Sequence, residues 1–330
     1  MIIGQDKAIN YLNRIIDEKK VANSYLFFGP EGVGKKTAAA WFAKKINCRS
    51  ASSPCNECSS CTKINKNIHP DILYIKPEGN YIKIDQTREI LSSISFRPFE
   101  GKYRAYIIED AQYLTDAAAN QMLKILEEPP SYAVIILIIS DITHLAPTVI
   151  SRCQRVPFNY VESRLIKEYI HKNFDLDQAR TESVAKLSRG SLGQAVSFIN
   201  NDRFWEVREF TLRLGSELPD MSYDKALKEA QSIENLKGYE EAVLEFLIDW
   251  FRDLMVLKET GNPGMVINYD MKDKLSAMAG NYTVWQIKKI MRKILEAKFL
   301  LRRNVNKKII FNNLVLNIAS LKPEAEYVIQ

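Results

Sequence analysis

Apolar residues along this chain follow two rhythms, and the change between them falls near residue 160. In the first half, short unbroken apolar runs alternate with stretches whose apolar residues recur every three or four positions. Ser24–Phe28 (SYLFF), Ile72–Ile75, Arg104–Ile108 (RAYII) and Ala133–Ile139 (AVIILII) are four such runs, and residues 155–158 form a fifth. Short runs rich in β-branched and aromatic side chains predict buried strands. Between them, residues 5–19 set Ile9, Leu12, Ile15 and Ile16 on one helical face. A second helix runs through Ile46, a third covers residues 85–93, and Thr115 caps a fourth that Pro129 and Pro130 stop. Strands alternating with helices imply a parallel sheet with helices on both faces.

The second half reads as helix after helix. Residues 163–200 give three short helical patterns, with Gly190 and Gly193 near a turn, and long amphipathic helices follow from Arg203. Gly238-Tyr239 is a weak break and Gly261-Asn262-Pro263-Gly264 a firm loop.

Composition narrows the class. With 330 residues the chain predicts two or three domains, and 46% hydrophobic with 26% charged residues is the balance of a soluble globular protein. No apolar run approaches the roughly 18 residues a membrane span needs. The first residues, MIIGQDKAIN, lack a basic segment followed by an apolar one, so no secretory signal is read and a cytoplasmic location is expected. The net charge of +6 is compatible with a nucleic-acid partner without requiring one. Residues 288–308 carry nine Lys or Arg against one acid, Glu296, a pattern expected of a solvated helix face.

Three local patterns carry chemistry. Gly29-Pro-Glu-Gly32-Val-Gly34-Lys35 fits the first seven positions of a phosphate-binding loop, after a strand and opening a helix. Its glycines let backbone amides curl round phosphate oxygens, and Lys35 reaches the terminal phosphates. The eighth position, which should offer a hydroxyl to Mg²⁺, is Lys36. Thr37 comes one residue late and is turned by about 100°. Phosphate binding is therefore expected, with ATP or ADP as the candidate cofactor and Mg²⁺ handled poorly. Glu109 and Asp110 end the third strand, where such ATPases place a metal-binding Asp and then a catalytic Glu. The order here is reversed; the alternative is two solvated acids. Finally, Cys48, Cys55, Cys58 and Cys61 lie within fourteen residues. In a cytosolic chain this spacing points to a closed structural zinc site, with free thiols or an iron–sulfur cluster as alternatives.

Together these segments resemble the AAA+ clamp-loader subunits of bacterial DNA polymerase III. The resemblance is carried by Ile3-Gly4-Gln5, by the strand entering the glycine loop, and by the position of the cysteine insert. Ala119-Asn-Gln-Met-Leu-Lys-Ile-Leu-Glu-Glu-Pro-Pro130 and Thr148-Val-Ile-Ser-Arg-Cys153 also carry it, as does Asn304-Val-Asn306 within the last long helix. It implies α/β plus all-α architecture: a RecA-like AAA+ domain (1–160) with the zinc module (48–61), a helical lid (161–205) and a helical collar for assembly (206–330). It places sensor 1 at Ser140. It implies partners: motor subunits of the gamma/tau type, a delta-type subunit, the sliding clamp, and primed DNA held through the assembled complex. Where the family's motor subunit has a phosphate-sensing arginine after G-S-L, this chain has Gly193. Three weakened catalytic elements beside an intact S-R-C resemble the family's stator, which would donate Arg152 to the next subunit's ATP site. The alternative for Arg152 is a structural arginine at a helix end, and the alternative for the chain is an active motor subunit. For Cys153 a buried, unreactive thiol is expected.

Overall fold

The computed structural model describes residues 2–303 and 305–321. The chain divides into two compact units. The first runs to Ile166 and includes Gly190–Gly193; the second comprises Lys167–Arg189 and the chain from Gln194.

The first unit is an alternation of helices and strands: α1 (Asp6–Asp17), β1 (Ser24–Phe28), α2 (Lys35–Asn47), α3 (Ser59–Asn65), β2 (Ile72–Ile75), α4 (Ile84–Ile94), β3 (Arg104–Ile108), α5 (Asp116–Glu127), β4 (Ala133–Ile139), α6 (Pro147–Ile150) and β5 (Gln154–Pro157). All pairings are parallel, in the order β2-β3-β4-β1-β5. This is the expected RecA-like AAA+ sheet. Four strands have the predicted limits, and the fifth starts one residue earlier than predicted. Successive residues alternate between faces. Tyr25, Phe27 and Ile107 pack with Leu12, Phe42 and Ile46 on one side. Leu26, Tyr106 and Ile108 pack with Ile90, Met122 and Val149 on the other. Because every strand points the same way, the segments after β1, β3 and β4 leave from one edge, where α/β sheets hold their ligands.

The second unit is helical: α7 (Ser163–Asn173, from Lys167), α8 (Gln178–Leu187), α9 (Leu192–Ile199, from Gln194), α10 (Asp202–Glu217), α11 (Tyr223–Glu234), α12 (Glu240–Thr260), α13 (Lys272–Ala279), α14 (Val284–Arg302) and α15 (Lys307–Ala319). One core holds Trp250, Phe251, Ile287, Ile290, Ile294 and Phe311. Arg208, 3% exposed, is forked onto the Asp270 carboxylate at 2.7 and 2.8 Å.

Two expectations change here. The predicted collar motif does not lie within a helix. Asn304 falls outside the described residues, and Val305 and Asn306 stand between α14 and α15. Asn306 is the N-cap of α15, its side chain accepting from Lys308 N at 2.9 Å, as a short polar side chain does at a helix start. The basic stretch is also not simply solvated. Lys298 meets Glu245 at 2.7 Å, Arg302 meets Glu241 at 2.7 Å, and Lys307 pairs with Glu240, so acids of α12 balance it.

Candidate phosphate cleft and cysteine centre

The glycine loop leaves β1 and turns into α2. Gly29 has φ of 138°, and a side chain there would place its Cβ 2.0 Å from the Phe158 carbonyl oxygen. Gly34 is the N-cap of α2 in left-handed conformation, and no side chain caps the first turn. The opening amides of α2 therefore stay available to an anion. A cleft of about 290 Å³ opens over the loop, lined by Glu31, Gly32, Gly34, Lys35, Lys36, Thr37, Glu109, Asp110, Ile138 and Gly193. It gathers seven of the nine residues proposed for phosphate and cofactor; Gly29 and Ser140 are outside its lining.

Inside the cleft both lysines have partners from the chain itself. Lys35 is 7% exposed, and its Nζ donates to the Gly29 and Pro30 carbonyls, the latter at 2.6 Å. Burial holds its pKa below the ordinary lysine value. Lys36 Nζ lies 2.9 Å from Glu109 Oε1, with Lys76 Nζ at 3.9 Å on the same oxygen. Burial works against the Lys36 charge, but the Glu109 carboxylate more than offsets it and raises the Lys36 pKa. Asp110 sits in the left-handed region at φ 52° and accepts from Gln112 Nε2 at 3.3 Å.

Magnesium demands oxygen ligands in near-octahedral array at about 2.0–2.1 Å. This donor set does not fit it. An ammonium takes the hydroxyl's place in the motif, and it is tied to the strand-end carboxylate. Gly193 closes one side: its N–H donates to Gly32 O at 2.8 Å, and a Cβ on it would lie 2.9 Å from Gly32 Cα. A side chain is therefore excluded at the position where the resemblance gives the motor subunit an arginine.

The four cysteines come together beyond α2. Their sulfurs all lie within 4.8 Å of one another, with Cys48–Cys55 at 3.6 Å and Cys48–Cys58 at 3.9 Å. Four sulfurs at about 2.3 Å from one tetrahedral ion would stand about 3.8 Å apart, so the donor set fits a single metal such as zinc. The amides of Cys58 and Cys61 point at the sulfurs of Cys55 and Cys58 at 3.3 and 3.5 Å, as suits ligand thiolates. Burial pushes the Cys61 thiol up to about 12. At Cys48 the amides of Cys55 and Ser50 overcome burial and bring the thiol to about 6.

His69 joins the cysteine module to its surroundings. Ser60 Oγ lies 3.0 Å from His69 Nε2, and His69 Nδ1 accepts from Asp71 N at 3.1 Å. Lys63 meets Glu100 at 2.6 Å. Asp71, fully buried, accepts the amides of Phe99, Glu100 and Gly101 at 2.6, 2.9 and 2.8 Å. No local pattern announces this network.

Arg152 follows α6 and is exposed, outside the cleft lining. Its guanidinium meets Glu127 at 2.6 Å and donates to Thr148 O at 2.9 Å. Glu127, within the Leu126-Glu-Glu-Pro-Pro130 run, faces Arg152 because α5 packs beside α6. Cys153 is half-buried, and burial raises its pKa to about 12, consistent with an inert thiol. Among the described residues no helix is long and apolar enough to cross a membrane.

Comparison with known proteins gives these features a family. Residues 4–162 match the family described as DNA polymerase III, delta subunit, and residues 221–320 match its C-terminal counterpart. The chain is 28% identical to the DNA polymerase III subunit delta' of Bacillus subtilis over 94% of this chain and 95% of that protein. It is 31% identical to the subunit tau of the same organism over 80% of this chain but only 50% of that protein. A solved structure of a gamma subunit-related protein from Thermotoga maritima aligns at 20% identity and TM-score 0.47, covering 95% of this chain and 99% of that one. Two family models covering most of the chain settle its kinship: it belongs to the DNA polymerase III delta-subunit family.

Proposed function

We propose that this chain is a delta-prime-like stator of the clamp loader. It assembles with gamma/tau-type motor subunits and a delta-type subunit, and it helps load the sliding clamp onto primed DNA. Its own ATP turnover is weak or absent, and it acts on ATP by offering Arg152 to the neighbouring subunit's site. The observation that carries this reading is a contrast of two cations. Lys36 is tied to Glu109 in the chain's own cleft, whereas Arg152 is exposed away from it with one carboxylate as partner. A finger arginine stabilises charge developing on a transferring phosphoryl group and is worth about 10³–10⁵ in rate in GTPases. A chain can therefore lose its own metal seat and still complete another's site. The 28% identity to a delta' subunit over 94% of this chain supports the same choice.

In this reading residues 1–160 form the AAA+ domain, 161–205 the lid and 206–330 the collar through which subunits assemble. The cysteine centre holds one structural zinc, and the glycine loop receives the phosphates of ADP or ATP. DNA is met through its phosphates by the assembled ring, without sequence readout. The 31% identity to tau favours a second reading, an active motor. That reading requires Mg²⁺-dependent turnover by the isolated chain, abolished by Lys35→Ala.

The test is a loader reconstituted with Arg152→Ala. Assembly should be intact, and clamp- and DNA-stimulated ATPase should fall by the share of the one site it completes. Unchanged ATPase with normal assembly would remove the finger.

A further inference from the structure

We infer that the phosphate cleft binds its anion without a divalent metal, the Lys36 ammonium standing in the cation's place. The inference rests on the glycine loop being a phosphate site and adds what that site uses as its counter-charge. In a phosphate loop with a bound metal, a hydroxyl from the helix and a carboxylate from the strand end hold the cation beside the terminal phosphate. Here both contributions have been joined to each other. The helix position carries Lys36, the strand end carries Glu109, and they meet at 2.9 Å. A divalent ion entering this seat would have to displace an ammonium from its carboxylate and accept a like charge beside it. The ammonium already delivers positive charge to the same place.

The rest of the cleft is arranged for an anion. Lys35 rests on two neutral carbonyls, Gly29 O and Pro30 O. Moving its three donors onto phosphate oxygens exchanges neutral acceptors for ionised ones, and charge-assisted bonds are roughly twice as strong. The opening amides of α2, uncapped by any side chain, complete the cradle. Gly193 lies against Gly32 with no room for a side chain, so no further protein cation enters from that side. Lys35, Lys36 and the amides are thus the positive elements within the cleft lining. The ligand class that suits them is a metal-free di- or triphosphate, with ADP as the probe.

The experiment is titration calorimetry of the full chain with ADP, once in Mg²⁺ and once in EDTA. The Kd should agree within about twofold between the two conditions. Lys36→Ser restores a hydroxyl and releases Glu109, so its binding should become about tenfold tighter in Mg²⁺ than in EDTA. Lys36→Met removes the charge alone and should weaken binding in EDTA by about tenfold, which decides the matter if the serine variant fails to fold. The inference is overturned if Mg²⁺ tightens wild-type binding tenfold, if Lys36→Ser stays indifferent to Mg²⁺, or if ADP does not bind in either condition. Loss of ADP binding would leave the stator reading standing, because that is decided by Arg152 in the assembled loader.

Discussion

The phosphate cleft and the cysteine centre lie at opposite ends of α2, and they treat cations in opposite ways. In the cleft every positive side chain has a partner from the chain itself: carbonyls for Lys35 and Glu109 for Lys36. At the centre four thiols converge within 4.8 Å of one another. One site has internalised its counter-charge; the other sets out four donors that could hold an ion. A metal seat is lost by supplying its charge from a side chain, and it is kept by arranging donors that only an ion can satisfy.

The largest effect that sharpens this contrast comes from removing the metal. Cys58→Ser or chelation should eliminate the one zinc per chain proposed for this centre and loosen α3. It should also loosen the segment around Glu100, which Lys63 and the Ser60–His69 contact tie to α3. Hydrogen exchange in residues 48–66 and 95–101 should quicken by about a hundredfold while β1 keeps its protection. Because the ligands must be thiolates, retention of the ion should weaken as pH falls. Equal protection with and without metal would put the centre on the same footing as the cleft, a motif whose cation is dispensable.

A smaller effect separates the metal's contribution from that of the network beneath it. Asp71 is buried; burial raises its pKa, but the amides of Phe99, Glu100 and Gly101 overcome this and hold it below the usual aspartate value. A carboxyl depressed in the folded state stabilises fully above its unfolded pKa of 3.8 and loses that contribution as pH falls through the folded value. Asp71→Ala leaves three amides without their acceptor and should cost about 3 kcal/mol in urea unfolding at neutral pH. It should also flatten the acid limb of the stability curve. A loss under about 1 kcal/mol would mean that metal alone orders this segment.

How much of this the sequence announces depends on whether the cause is local. The strands were legible because each is a short apolar run between turn residues, and α5 because Thr115 caps it with its own hydroxyl. The glycine loop and the cysteines were legible because motif spacing is itself local geometry. The gap between α14 and α15 was missed because no glycine or proline marks it; the one signal was Asn306, a residue type suited to an N-cap. What stayed illegible depends on distant segments meeting. Lys36 finds Glu109 across the sheet edge, Glu127 finds Arg152 between two helices, and Asp71 finds the amides of Phe99, Glu100 and Gly101 28 to 30 residues away. The sequence suggested that Lys36 disfavours Mg²⁺. Only the fold shows which carboxylate it occupies.

The smallest effect tests whether that occupation belongs to one lysine. Glu109 Oε1 faces Lys36 at 2.9 Å and Lys76 at 3.9 Å, and both lysine side chains are more than half exposed. At such exposure an ion pair is worth roughly 0–1 kcal/mol, and the longer contact belongs at the bottom of that range. Lys76→Ala should therefore change unfolding free energy by less than about 0.5 kcal/mol. It should also leave ADP binding indifferent to Mg²⁺, since the ammonium nearest the carboxylate is untouched. If Lys76→Ala alone made binding respond to Mg²⁺, the seat would be held by the pair. The cleft's loss of its metal would then depend on a residue of the β2 exit as well as on the motif, and its contrast with the cysteine centre would be one of degree.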